Sequence, residues 1–195
     1  MTEEAILQRL KHDLTDKRYQ HSLAVADMAV QLAERHGGDV AKARLAGLVH
    51  DCMRDTSHIE SLRLLSEKRI ALTPLEMKAF NLWHAILGAA VLEERFGITD
   101  PDVINAVRYH TTGRAGMSLL ERIVYVADCT SADRHYADVE EVRAAAMACL
   151  DDGVRASLQF CVEERKRRGE PVHPDTLAAI EEYGAACCNG DRNGL

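Results

Sequence analysis

At 195 residues, with a formal charge of −7 and a pI near 5.7, the chain is long enough to bury one core and too acidic to grip a nucleic-acid polymer, whose backbone is held by clustered Lys and Arg. Any anionic ligand must therefore meet a local cationic site. The start, MTEEAILQRLKHDL, is acidic and lacks an apolar leader core, and no apolar run approaches the ~20 residues a membrane span requires. The expectation is a cytoplasmic protein with no membrane partner. Six cysteines without a C-x-x-C spacing read as reduced, mostly core residues.

Apolar residues recur at helical spacing, as in Leu23, Ala26, Ala29, Val30 and Ala33, or Leu119, Ile123, Val126 and Ala127. Helices are predicted near 3–13, 16–36, 39–54, 58–69, 74–96, 101–110, 118–130, 139–168 and 174–187, with Gly153 the candidate break in the eighth. Starts are marked by Ser57…Glu60, Thr73-Pro74…Glu76 and Ser118…Glu121, each a hydroxyl at the cap and a glutamate three residues on, and by Asp100-Pro101. Gly37-Gly38, Gly97 and Gly113 mark stops. No segment alternates like a strand. The fold class expected is all-α, one compact helical domain over 1–188 followed by a disordered tail at 189–195. The charge run EERKRRG at 163–169 reads as a solvated helix face.

Two His-Asp dipeptides occur, His12-Asp13 and His50-Asp51. Nine His and fifteen Asp in this length give roughly 0.7 by chance, so the dipeptide alone says little. Context separates them. His12-Asp13 ends a polar amphipathic helix, whereas His50-Asp51 closes the largely apolar run Ala41 to Val49, where a charge needs a partner. His21 in RYQHSLAVA, His84 in NLWHAILGAA, His110 in VINAVRYHTTG and Asp128 in IVYVADC stand in similar settings, each with small or apolar neighbours one turn away. A lone inward histidine is usually a core residue bonded to backbone. Several on different helices must satisfy one another, and a shared metal does that. Imidazoles and carboxylates suit iron, manganese or zinc, and four His with two Asp exceed what one ion with an open position takes. They suit two ions about 3.5–4 Å apart with a carboxylate, Asp51, bridging.

The order H…HD…H…H…D resembles the HD superfamily of metal-dependent phosphohydrolases. The words RYQHSLAVADMAVQLA, AGLVHD, HAILGAAV, FGITD, HTTGRAGMSLLERIVYVAD and HPDTLAA resemble its YqeK branch of symmetrical diadenosine-tetraphosphate hydrolases, from residue 18 to about 180. The resemblance implies an all-helical HD bundle with a buried di-iron centre held by His21, His50, Asp51, His84, His110 and Asp128. It implies catalytic roles for Asp51, Arg54 and His84 in splitting a dinucleoside tetraphosphate into two nucleoside diphosphates. Iron comes from the resemblance; the ligand types by themselves leave manganese and zinc open. Arg18 and Arg54 share helix faces with His21 and with His50-Asp51 and are candidate phosphate contacts, against a plain reading as surface arginines. His21, Thr111, Thr112, Gly113, Arg134, His173 and Thr176 complete the candidate substrate set.

Three departures from the branch lie on the substrate side: Arg54 where lysine is usual, Ser131-Ala132 for Glu-Pro, and Ile180-Glu181 for Arg-Asn after Ala179. The last exchanges a cation for an anion, which weakens any hold that pair had on a charged chain. Two other readings stay open: the same metal chemistry on another nucleotide, and a catalytically silent nucleotide- or partner-binding domain. Helical domains with this many apolar faces often pair, so a homodimer is compatible with the sequence.

Overall fold

The structure is a computed structural model that describes residues 1–184. Among them are eleven α-helices and no strand: α1 (Glu3–Asp13), α2 (Asp16–His36), α3 (Val40–Val49), α4 (His58–Glu67), α5 (Pro74–Lys78), α6 (Trp83–Phe96), α7 (Pro101–Tyr109), α8 (Leu119–Thr130), α9 (Val139–Ala148), α10 (Leu150–Arg167) and α11 (Pro174–Gly184). The starts follow the capping chemistry. Ser57 and Ser118 accept from the backbone N–H three residues on, Thr73 and Glu76 form a reciprocal capping box, and Asp100 caps α7 ahead of Pro101. Gly37 and Gly97 end α2 and α6 in the left-handed region that favours glycine. The tail at 189–195, with Cys187 and Cys188, lies outside the described residues.

Three expected helices are corrected. The segment 74–96 is α5, a 3-10 turn over Phe80–Leu82, and α6. Ala79 (φ −107°, ψ 69°) leaves the helical region. The indole of Trp83 then turns back to donate to the Glu76 carbonyl at 2.6 Å, its ring stacked on His58 and edge-on to Phe80. In the 139–168 segment the break falls at Cys149 (φ −148°, ψ 121°), not at Gly153. Gly153 lies inside α10, where a Cβ would stand 2.7 Å from the Cα of Ala146; the missing side chain is what lets α10 fold back on α9. The segment 39–54 is helical only to Val49 and then tightens into turns, with Arg54 N–H bonded to the Asp51 carbonyl at 2.8 Å. Cys52, Cys129 and Cys161 are free.

The core is assembled by α2, α3, α7 and α8, with α6 laid on α7 and the α9–α10–α11 group on α8. Leu32, Leu48, Met53, Leu87, Ile123, Tyr125 and Leu158 are fully buried there, each stabilising the fold by about 1.5–3 kcal/mol relative to exposure. No helix among the described residues is long and apolar enough to cross a membrane.

Candidate metal centre

Five elements each aim a polar side chain into this otherwise apolar centre. His21 comes from the second turn of α2, His50 and Asp51 from the end of α3, His84 from the start of α6, His110 from the C-cap of α7 and Asp128 from the last turn of α8. All four histidines and Asp51 are buried. Their nitrogens and oxygens form three overlapping groups, His21–His50–Asp51, His50–His110–Asp128 and Asp51–His84–His110, in each of which the ligating atoms lie within 4.8 Å of one another. The rings of His21 and His50, His50 and His110, and His84 and His110 pack edge to face at 5.2, 4.9 and 5.1 Å.

Asp51 stands between the groups. Its Oδ1 lies 3.0 Å from His84 Nε2 and 3.5 Å from His110 Nε2, and its Oδ2 lies 3.7 Å from His50 Nε2. Across the cluster Asp128 Oδ1 meets His21 Nε2 at 3.0 Å and His50 Nε2 at 3.9 Å. Each remaining histidine nitrogen is held from outside. His50 Nδ1 donates to the Gly47 carbonyl and His110 Nδ1 to the Val107 carbonyl, both at 2.7 Å. Because carbonyls only accept, these bonds place the protons on Nδ1 and leave Nε2 as a bare lone pair facing inward. His50 Nε2 is buried without a hydrogen-bond partner. A lone pair so placed, surrounded by two carboxylates and three more imidazoles and no thiolate, fits a hard or borderline divalent metal.

The electrostatics agree with that reading. Burial pushes His50 down from 6.5 to about 4, so its ring is neutral near pH 7. Burial also lowers His84, against the pull of Asp51. For Asp128, burial acts upward, but the bond from His21 and the charge of Arg134 outweigh it and hold the carboxyl well below the usual range. Asp51 is likewise held low by His50, His110 and His84 in spite of burial. Burial acts downward on His21, yet the hydrogen bond it donates to Asp128 leaves it raised overall.

A pH dependence follows for chelator-treated protein. Between pH 6.5 and 4 the unfolded chain takes up a proton at position 50 that the folded chain refuses, so the contribution of His50 is complete above 6.5 and is lost as pH falls toward about 4. His84 acts in the same direction. His21, being raised, makes a contribution that is already complete below 6.5 and does not flatten the slope. The expected loss from His50 is about 3 kcal/mol. Urea midpoints from pH 7 to 4 should fall less steeply in His50→Leu; parallel curves would refute it.

Among the candidate substrate residues, three arginines reach the cluster. Arg18 Nη1 lies 3.5 Å from Asp51 Oδ2, Arg54 Nη1 lies 3.3 Å from His84 Nδ1, and Arg134 pairs with the Asp128 carboxylate and carbonyl while lying 3.4 Å from His21 Nε2. In a chain of net negative charge these three side chains put positive charge beside the cluster. Thr111 and Thr112, next to His110, have buried hydroxyls without partners. Gly113 is different: its N–H caps α7 on the Tyr109 carbonyl at 2.8 Å, so it offers no free backbone donor. The Thr176 hydroxyl donates to the Thr112 carbonyl at 2.7 Å and ties α11 to that turn. His173 caps α11 by accepting from Asp175 N–H and faces Glu76 at 3.7 Å. Ile180 packs against the core and Glu181 is exposed. Sequence reasoning passed over Asp133, whose Oδ2 lies 2.8 Å from His21 Nδ1; a loop aspartate five residues after Asp128 carries no periodic signal.

The HD domain family model matches residues 18–133. The symmetrical bis(5'-nucleosyl)-tetraphosphatase of Bacillus subtilis (strain 168) is 35% identical over 177 residues, 91% of this chain and 95% of its own. The protein of that name from Halalkalibacterium halodurans is 38% identical over 176 residues, 90% of this chain and 94% of its own. A crystal structure from Clostridium acetobutylicum, described as a predicted HD superfamily hydrolase involved in NAD metabolism, superposes with a TM-score of 0.90 at 34% identity, over 94% of this chain and 97% of that one. A match running from residue 18 to 133, the stretch that contributes all six clustered side chains, places the chain in the HD domain family.

Proposed function

We propose that this chain is a cytoplasmic metal-dependent hydrolase that cleaves dinucleoside tetraphosphates, diadenosine tetraphosphate among them, into two nucleoside diphosphates. The observation that carries the proposal is the bare, buried Nε2 of His50 inside the cluster of two carboxylates and four imidazoles. The names and coverage of the curated relatives support the substrate class. The residues that would hold two metal ions, iron by resemblance to the branch, are His21, His50, Asp51, His84, His110 and Asp128. Asp51, whose two oxygens face different imidazoles, would be shared between them. Such a pair supplies a water that is nucleophilic near neutral pH and positive charge for the attacked phosphoryl group.

The chain's own residues do the rest. Arg18, Arg54 and Arg134 surround the cluster and can bind non-bridging phosphate oxygens, which orients the tetraphosphate and neutralises the diphosphate that leaves. The hydroxyls of Thr111 and Thr112 are unpaired donors beside His110. Water oxygen bonds to one of the two central phosphorus atoms, the central P–O–P bridge breaks opposite it, and the bridging oxygen departs with the second nucleoside diphosphate. In-line geometry places nucleophile and leaving group on opposite sides of phosphorus.

Protein loaded with iron in the absence of air should convert diadenosine tetraphosphate into ADP alone, two per substrate, as read by chromatography. AMP with ATP would show asymmetric cleavage and overturn the symmetrical reading. Turnover confined to another nucleotide in a panel would overturn the substrate, and no turnover of any would overturn the hydrolase.

A further inference from the structure

Of the four clustered histidines, three have their outer nitrogen against a partner that cannot supply negative charge. His50 and His110 donate to backbone carbonyls of their own helix segments, three residues back, and His84 Nδ1 faces the Arg54 guanidinium. His21 is the exception. Its Nδ1 lies 2.8 Å from the carboxylate of Asp133, a residue 112 positions along the chain in the loop after α8. Asp133 is itself braced, since the Ser131 hydroxyl donates to its other oxygen at 2.7 Å. Ser131 is fully buried and Asp133 is about two-fifths exposed.

We infer that Asp133 is a positioning residue for the metal site, fixing the ring of His21 so that Nε2 is aimed inward as a ligand, with Ser131 fixing Asp133 in turn. The inference rests on the metal reading proposed above. The chemistry is that of a carboxylate behind a metal-ligating imidazole. A carboxylate accepts only, so Asp133 keeps a proton on Nδ1, and Nε2, which hydrogen-bonds Asp128, is the nitrogen that would give up its proton to present a lone pair to a metal. The negative charge also makes that lone pair a stronger donor, and outer partners of this kind typically govern metal affinity by about 10- to 100-fold. Geometry gives the contact a second consequence. His21 is on α2, and Asp128 precedes Asp133 by five residues on α8 and its loop. The Asp133–His21 contact therefore sets the spacing between two proposed ligands from different helices. Arg134, the next residue, approaches the other nitrogen of the same ring, so the one loop brackets His21 from both edges.

The test is anaerobic titration with Fe2+ alone, in competition with a chromophoric iron chelator, on unaltered protein and the variants Asp133→Ala, Asp133→Asn and Ser131→Ala. Thermal unfolding of the metal-free proteins is followed alongside. Asp133→Ala should weaken Fe2+ binding by about 10- to 100-fold with metal-free melting unchanged. Asp133→Asn, which keeps an accepting oxygen without the charge, should recover part of that loss, and Ser131→Ala should show a smaller loss in the same direction. Unaltered affinity in Asp133→Ala, beside firm binding by the unaltered protein, overturns this inference and leaves the metal reading standing. Lower affinity matched by a lower metal-free melting temperature in both Asp133 variants assigns the residue a merely structural role and also overturns it. Failure of the unaltered protein to bind Fe2+ overturns the metal reading and this inference together.

Discussion

Asp51→Ala is expected to abolish metal retention and turnover while the far-ultraviolet signature of the helices persists. Asp51 belongs to two of the three ligand groups, and its oxygens stand 3.0 to 3.7 Å from the Nε2 atoms of His84, His110 and His50. Removing an outer partner of a ligand costs about 10- to 100-fold in affinity or activity; removing a carboxylate proposed to be shared between two ions should cost more than that. The fold does not need it. The turn that carries Asp51 is closed by backbone bonds, Cys52 N–H to the Val49 carbonyl and Arg54 N–H to the Asp51 carbonyl, and a buried ion cluster is weak support for stability. The cation released, Arg18, is partly exposed and can turn to water. The second dipeptide is the control. His12 is 87% exposed at its side chain, and Asp13 pairs with Arg9 and Arg95, so Asp13→Ala should retain near-normal turnover. Metal content by elemental analysis, with kcat on diadenosine tetraphosphate, checks both variants; equal losses in the two would remove the distinction between the dipeptides.

What made the cluster readable was its contrast with its surroundings. His21, His50, His84, His110 and Asp128 each sit on a helix among small or apolar residues, and burial of such groups is costly unless they meet. The structure brings them together. Helix starts were readable because caps are local: Ser57, Thr73, Asp100 and Ser118 reach only two or three residues along. The errors came from interactions made at a distance in the chain. The break at Ala79 accompanies the Trp83 indole turning back to Glu76 and stacking on His58, none of which shows in the periodicity of 74–96. Gly153 looked like a breaker because glycine weakens helices, but its function is to let Ala146 of α9 approach. Asp133 was invisible for the same reason, because its value lies in meeting His21 across 112 positions. The run EERKRRG, read as solvated, is mostly exposed at the end of α10, as its charge density dictates.

Gly47→Ala is expected to destabilise the protein and loosen the metal site together, an outcome contrary to helix propensity. Gly47 lies within α3, where alanine is intrinsically better by about 1 kcal/mol. A Cβ there, however, would stand 2.7 Å from the Cα of Ala26, 3.0 Å from its N and 3.2 Å from the Val25 carbonyl carbon. All three are backbone atoms of α2, so no rotamer change relieves the contact and the two helices must separate. Overpacking of this kind costs about 1–3 kcal/mol and sometimes more; contact with rigid backbone atoms puts it at the upper end, which exceeds the propensity gain and leaves a net loss of roughly 2 kcal/mol and a melting temperature lower by about 4–8 °C at this chain length. The same movement reaches the site, because α2 carries His21, and the Gly47 carbonyl holds the ring of His50 at 2.7 Å. Metal affinity should therefore fall along with stability. Gly88→Ala provides the comparison: its Cβ would meet the Cγ1 of Val107 at 3.2 Å, a milder contact made with a side chain and not with helix backbone, so a smaller change in melting temperature is expected. Calorimetric melts of both variants, with and without bound metal, decide the matter. If Gly47→Ala is as stable as the unaltered protein, α2 and α3 are not held at the distance that aligns His21 with His50 and Asp51.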